Sequence, residues 1–184
     1  MTSETSETVW LVRYGEIALK SPPVRRTWET KLVSTIQIML PHCVARRENG
    51  RIWLTGEVDP TTLARVFGIV SFSPCRTCDL GELEEFLLRY IAETFPAGKA
   101  TFGLRVRRVG RHRFTSPECA ARLGAEVVER FPDFSVDLTR PDIPITIEIR
   151  GNRCYLFHQI YPGAGGIPLG VEGTLVALIS GGID

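Results

Sequence analysis

Two stretches of this sequence hold residues whose types and spacing suit chemistry on phosphates. One closes the chain. Leu175-Val176-Ala177-Leu178-Ile179 reads as a short buried strand, and Ser180-Gly181-Gly182-Ile183-Asp184 follows at once. A strand that runs into a Ser/Gly turn builds a phosphate cradle, because small residues let backbone N–H groups approach an anion. A helix N-terminus usually follows and adds its partial positive charge. The sequence stops before such a helix, so the expectation is an incomplete nucleotide site. The other stretch, residues 97–117, holds no Asp or Glu, while Lys99, Arg105, Arg107, Arg108, Arg111 and Arg113 give it +6, with His112 beside them. The whole chain carries +1, which leaves −5 for the rest.

The chain has 19 Arg against 3 Lys. Codon bias explains such an excess, and so does phosphate recognition by the planar guanidinium fork. Codon bias would scatter Arg among acids rather than clear acids from one window. On a strand, Arg105 and Arg107 share a face, and Arg108 to Arg113 continue into a loop. That is the electrostatic footprint of an RNA or DNA backbone site. The plainer alternative is a solvated strand end paired with the acidic run Asp79 to Glu85. A weaker cluster, Lys20, Arg25 and Arg26, sits where a helix begins, and helix N-termini also attract phosphate. Arg46 and Arg47 read as hairpin surface.

The remaining reactive residues give no catalytic constellation. Cys75-x-x-Cys78 is half of a zinc site, and zinc normally takes four ligands. The other half would be Cys154 with His158, which lie about 13 Å apart along a strand at ~3.3 Å per residue. No metal site is therefore expected; a redox pair stays open, without a thioredoxin-like context around it. Cys43, Cys119 and Cys154 read as small core residues. His42, His112 and His158 show no triad spacing, and no paired carboxylates stand out.

These residues need elements to position them. The 184 residues, 43% hydrophobic, suffice for one large domain or two small ones. The polar, acidic N-terminus is no signal peptide, and no apolar run reaches membrane-span length. Five Cys without secretory context point to a reducing cytoplasm. Residues 1–7 read as a disordered tail. Val9 to Tyr14 reads as a strand. A helix from Val24 carries Trp28, Leu32, Ile36 and Met39 inward and stops at Pro41. Asn49-Gly50 turns a hairpin between Cys43–Glu48 and Arg51–Thr55. A short helix from Asp59 or Pro60 carries Leu63, Val66 and Phe67, and Ile69 to Phe72 is a strand. This order is the split βαββαβ, ferredoxin-like arrangement. A second unit follows: a helix over Leu83 to Phe95, a strand over Thr101 to Val106, and a helix capped at Thr115-Ser116-Pro117-Glu118 that turns Ala120, Leu123, Val127 and Phe131 inward. A short strand at Phe134 to Val136 comes next. Ile143 to Arg150 then alternates like a strand with one wet face and turns at Gly151-Asn152 into Cys154 to Ile160. Tyr161 to Gly166 reads as a linker.

Three stretches together resemble one family. Val12-Arg13-Tyr14-Gly15-Glu16-Ile17-Ala18-Leu19-Lys20 is similar to the opening of the tRNA 4-thiouridine synthetases (tRNA sulfurtransferases, the ThiI family, tied to thiamine biosynthesis). Phe67-Gly68-Ile69-Val70-Ser71-Phe72-Ser73-Pro74 resembles that family's FGIxSFSP junction. Ser180-Gly181-Gly182-Ile183-Asp184 resembles the start of its pyrophosphate loop, SGGxDS. Ser21 to Arg26 replaces the GKNR-like run of many bacterial members and looks closer to archaeal ones.

The resemblance implies an α+β (α/β) chain. Residues 8–74 would be a ferredoxin-like domain. Residues 75–162 would be a THUMP RNA-binding domain, with a profile reaching back toward residue 60. Residues 163–184 would be a linker and the first strand of a truncated PP-loop ATP pyrophosphatase domain. The first two domains would grip the tRNA acceptor end and present uridine eight. ATP, with Mg, would adenylate the uridine oxygen, and sulfur would replace it. Leu178 and Ile179 match positions that contact adenine; Ser180, Gly181, Gly182 and Asp184 match the phosphate side. A cysteine desulfurase or another sulfur carrier would be the donor, and a homodimer is possible. With the rest of the PP-loop domain and its catalytic cysteine absent, the chain alone is expected to hold no catalytic residue, to bind no cofactor tightly and to be inactive. The competing reading is a non-catalytic THUMP-type tRNA-binding adaptor that works with a separate modification enzyme.

Overall fold

The computed structural model describes residues 8–48, 50–95, 98–174 and 176, and the chain divides into two units. One comprises Leu11–Phe72 together with the chain from Tyr161; the other comprises Ser73–Ile160 with the N-terminal residues to Trp10.

In the first unit the elements are β1 (Val9–Tyr14), α1 (Pro22–Met39), β2 (Cys43–Glu48), β3 (Arg51–Gly56), α2 (Pro60–Leu63) and the start of β4 (Ile69–Asp79). The strands lie in the order β2-β3-β1-β4, the order of the split βαββαβ motif. Pro22 and Pro23 open α1, where a fixed φ and a missing N–H cost nothing. The β2–β3 ladder pairs Glu48 with Arg51, so the turn has two residues; Gly50, at φ +78°, supplies the left-handed backbone this turn requires. Asn49 lies outside the described residues. Trp28, Leu32 and Ile36 line the buried side of α1, beside Leu11, Ile52, Leu54, Leu63 and Ile69 elsewhere in this core.

Two inward assignments in this unit change. Met39 is exposed and Leu40 takes the buried place, because the chain leaves the helix there ahead of Pro41. Phe67 is 58% exposed, since α2 ends at Leu63 and the chain tightens through i→i+3 bonds, while Val66 is buried as expected.

The second unit contains the rest of β4, then α3 (Leu83–Thr94), β5 (Ala100–Val109), α4 (Ser116–Arg130), β6 (Phe134–Val136), β7 (Ile143–Arg150) and β8 (Arg153–Phe157). Its strand order is β4-β8-β7-β5-β6; β5 runs parallel to both β6 and β7, and β8 is antiparallel to β7 and β4. The core joins Phe86, Leu87 and Ile91 of α3 and Leu123 and Val127 of α4 to Phe102, Ile145, Ile147 and Leu156 of the sheet. The capping box of α4 forms as its sequence requires: Thr115 Oγ1 accepts from the Glu118 N–H and Glu118 Oε2 accepts from the Thr115 N–H. The inward stripe of α4 is Cys119, Leu123 and Val127; Ala120 and Phe131 are half-buried.

Sequence pattern placed several strand ends short or long. β4 continues past Phe72 to Asp79, because Arg76 to Asp79 pair with Leu156 to Arg153. β5 extends to Val109 because its ladder with β7 runs from Phe102 through Val109. β8 ends at Phe157. The polar face of β7 is not fully wet: Glu148 is 3% exposed and pairs with Arg150 at 3.2 Å. Tyr161, read as linker, begins β9 (Tyr161–Pro162), which pairs with Phe72 and Ser71 within the first unit and stacks the Tyr161 ring on Phe72 at 5.4 Å. A Cβ on Gly163 would stand 2.2 Å from the Ile69 carbonyl oxygen, so this return admits glycine alone.

Candidate nucleic-acid interface

The acid-free window becomes a strand, a loop and a helix start. On β5, Phe102, Leu104, Val106 and Arg108 project to the helix side, whereas Arg105 and Arg107 project from the opposite face, both exposed. Arg108 is therefore separated from its two neighbours. Its Nε donates to Ser116 Oγ at 3.2 Å, and its guanidinium lies 5.5 Å from the centre of the Phe114 ring. Arg111 and Arg113, exposed, occupy the loop between β5 and α4. His112 pins that loop: Nε2 lies 2.9 Å from the Gly151 carbonyl, and the imidazole is 5.5 Å from Phe114.

Among the described residues, no carboxylate is within ion-pair distance of Arg105, Arg107, Arg108, Arg111 or Arg113. Two acids of the run are committed elsewhere. Asp79 meets Arg153 at 3.3 Å and Glu84 is bonded to Arg122. The structure thus gives no support to pairing of the window with that run. Unpaired, exposed guanidiniums on a rigid strand and a pinned loop suit phosphate contacts. Lys99 is apart from them. It precedes β5, roughly 20 Å along the strand from Arg105 at ~3.3 Å per residue, and shares a small depression with Asp133 and Asp142. Phe114 was not legible as a member of this group; an aromatic residue between arginines was the available signal.

The second predicted cluster is built differently. Arg25 folds back so that one guanidinium nitrogen donates to the carbonyls of Ala18 at 2.6 Å and Lys20 at 3.2 Å. The Lys20 ammonium sits 4.4 Å from the centre of the Trp28 ring. Pro22 and Pro23 remove two first-turn N–H groups, and the Arg25 N–H already bonds the Ser21 carbonyl. The start of α1 therefore offers an anion little of the donor set a helix N-terminus normally supplies. Arg26 is exposed. Beside this cluster, Tyr14 donates its hydroxyl to Glu29, and burial first, then that bond, pushes the phenol well above its ordinary value. Arg47 also meets Glu29, at 3.4 Å.

The cysteines are buried. Cys78 faces Cys154 across the β4–β8 ladder, and the hydrogen bond between the thiols, followed by burial, holds Cys154 far above its ordinary value. His158 lies beyond the end of β8 with Nδ1 2.6 Å from Tyr90 Oη. Burial lowers the His158 pKa and raises that of Tyr90 to about 12. Among the described residues no group of three or more His, Cys, Asp or Glu is placed to hold a metal ion, and no helix is long and apolar enough to cross a membrane. Leu178, Ile179, Ser180, Gly181, Gly182 and Asp184 lie outside the described residues.

Comparison with known proteins agrees with this architecture. Residues 9–73 match the ThiI ferredoxin-like domain and residues 78–159 match the THUMP domain. A probable tRNA sulfurtransferase of Methanothermobacter thermautotrophicus is 45% identical over 96% of this chain and 47% of its own length. A crystal structure of a Pyrococcus horikoshii protein superposes with a TM-score of 0.76 at 29% identity, covering 89% of this chain and 58% of that one. A 4-thiouridine synthetase solved with RNA and bound ATP gives a TM-score of 0.72 at 25% identity, covering 90% of this chain and 44% of the other. The chain spans about half the length of the curated relatives it matches.

Proposed function

Because the chain belongs to the tRNA sulfurtransferase family and carries its ferredoxin-like and THUMP domains, we propose that it is the part of a 4-thiouridine synthetase that holds the tRNA acceptor region while uridine eight is thiolated. The observation that carries this reading is the group of exposed arginines, Arg105, Arg107, Arg111 and Arg113, with no carboxylate partner among the described residues. β5 fixes two of them at alternate positions on one face, and the His112–Gly151 contact fixes the loop that presents the other two. Arg108, clamped by Ser116 and Phe114, orients the strand end where that loop begins. Such a surface binds phosphates through charge and geometry, without reading base sequence.

The remainder of the proposal rests on the family. The whole enzyme would use ATP with Mg²⁺ to adenylate the uridine oxygen, would receive sulfur from a cysteine desulfurase or another carrier, and would supply sulfur linked to thiamine synthesis in the cytoplasm. Leu178, Ile179, Ser180, Gly181, Gly182 and Asp184 would line the ATP side. This chain alone would bind tRNA and turn over no ATP.

The test is filter binding of tRNA across a salt series. The wild-type chain should show a steep fall in affinity with salt, and Arg105→Glu/Arg107→Glu/Arg108→Glu should weaken binding by about a hundredfold and flatten the salt slope by about 2 or more. Unchanged affinity and slope in this triple variant would sink the assignment. AMP release from the pure chain with tRNA would overturn its predicted inactivity.

A further inference from the structure

One edge of β5 has no role in this reading. The ladder with β6 covers Ala100 to Phe102 and no more, whereas the ladder with β7 on the other side continues to Val109. Along a strand paired with a parallel neighbour, alternate residues direct both main-chain polar groups to the same side. The Phe102 carbonyl accepts from the Asp137 N–H, on the β6 side, and the Val109 carbonyl accepts from the Gly151 N–H, on the β7 side. Leu104, Val106 and Arg108 therefore aim their N–H and C=O groups away from β7. Among the described residues no strand pairs with them.

An apolar groove of about 650 Å³ opens at the Leu104 end of this edge. It is lined by Leu104 of β5, by Ala120, Ala121 and Gly124 of α4, and by Val136 and Leu138. Two of these lining residues are open to solvent: Val136 is 53% and Leu138 72% exposed. The small residues of α4 leave room for side chains from outside, and a Cβ on Gly124 would touch nothing within 4 Å. On the other face of the same edge stand the exposed Arg105 and Arg107. Among the described residues, Glu129 is the one carboxylate that lines the groove.

We propose that this edge and groove dock an extended, acidic segment of a partner protein, which adds a strand beside Leu104 to Arg108. The edge supplies main-chain bonds, the groove takes the apolar side chain that falls beside Leu104, and the arginines take acidic side chains on the other face. Charge decides the occupant. A second copy paired through the same edge would set Arg105 and Arg107 against their own counterparts, and like charges across a ladder destabilise it. An alternating apolar and acidic strand complements both faces. This site is independent of the tRNA reading, although it shares Arg105 and Arg107 with it.

The probe is a fluorescein-labelled heptapeptide, Glu-Val-Glu-Val-Glu-Val-Glu, titrated by fluorescence anisotropy into the full chain. It should bind saturably and protect the amides of Leu104, Val106 and Arg108 from hydrogen exchange. Gly124→Leu fills the groove and should weaken the probe by about tenfold or more, with tRNA affinity held and the melting temperature no lower, since leucine favours the helix over glycine. Gly124→Ala should retain binding. A copy of the probe N-methylated at alternate residues, or a shuffled one of the same composition, should bind at least about tenfold more weakly. Equal binding by the shuffled or N-methylated peptide would overturn the proposal, as would Gly124→Leu without effect on the probe. Concentration-dependent dimerisation that Gly124→Leu abolishes would overturn it in favour of a second copy. Protection of the same three amides by an acceptor-stem RNA would overturn it in favour of nucleic acid.

Discussion

The arginines of β5 and its loop and those at the start of α1 carry one chemistry in two settings. Arg105 and Arg107 stand on a strand whose backbone is held by its ladder with β7, so their guanidiniums are free of structural duty. Arg25 also stands on a held backbone, in α1, but its side chain is turned back onto the fold. The turn from Gly15 to Ser21 ends at two prolines, which donate nothing, and Arg25 bonds that turn's carbonyls at Ala18 and Lys20. A guanidinium that meets no protein acceptor is left for recognition, whereas one that closes main-chain carbonyls of a neighbouring turn serves the fold. In the sequence the two clusters look alike, since both are short runs of basic residues beside an element boundary.

Binding should separate them most sharply. Against the hundredfold loss expected for the triple reversal on β5, Lys20→Glu/Arg26→Glu should cost tRNA affinity less than about tenfold in the same filter assay. Equal losses would erase the distinction. Arg25→Ala reads the other side of the contrast. It should leave the salt slope of binding as it is and lower the stability of the first unit by about 1–2 kcal/mol, seen as a lower urea midpoint, because two charge-assisted bonds to carbonyls vanish. A drop in tRNA affinity without a change in midpoint would reverse the roles given to Arg25.

Smaller effects probe the frame of the β5 region. Thr115→Ala removes the cap of α4 and should cost about 1 kcal/mol, while Thr115→Ser should be close to neutral by thermal melting. The smallest effect is pH-dependent. The folded pKa of His158 is lowered by burial from the ordinary 6.5, so the unfolded chain binds this proton more readily than the folded one. Stability from this group is therefore complete above about pH 6.5 and falls as the pH drops toward and below the folded value. Urea midpoints at about pH 7.5 and pH 5.5 should diverge in the wild type, and the gap should shrink in His158→Gln. An identical gap in both would remove His158 from the account.

What the sequence determined by itself is local. The hydrophobic stripe of α1, the two-residue turn before Arg51, the capping box at Thr115 and the paired motif order were all readable, because each depends on neighbours within a few residues. The absence of acids from residues 97–117 was likewise a property of composition. Tertiary structure decided which of those charges belong together. Parallel pairing with β7 lengthened β5, placed Arg108 on the helix side and left Lys99 at the far end. Tertiary structure also paired Asp79 with Arg153 and Glu84 with Arg122, away from the window. It also set Cys78 opposite Cys154, two residues 76 apart in the chain that no spacing rule connects. Each of these depends on contacts between distant segments, and a ladder register shifted by one residue would turn every side chain of β5 to the other face.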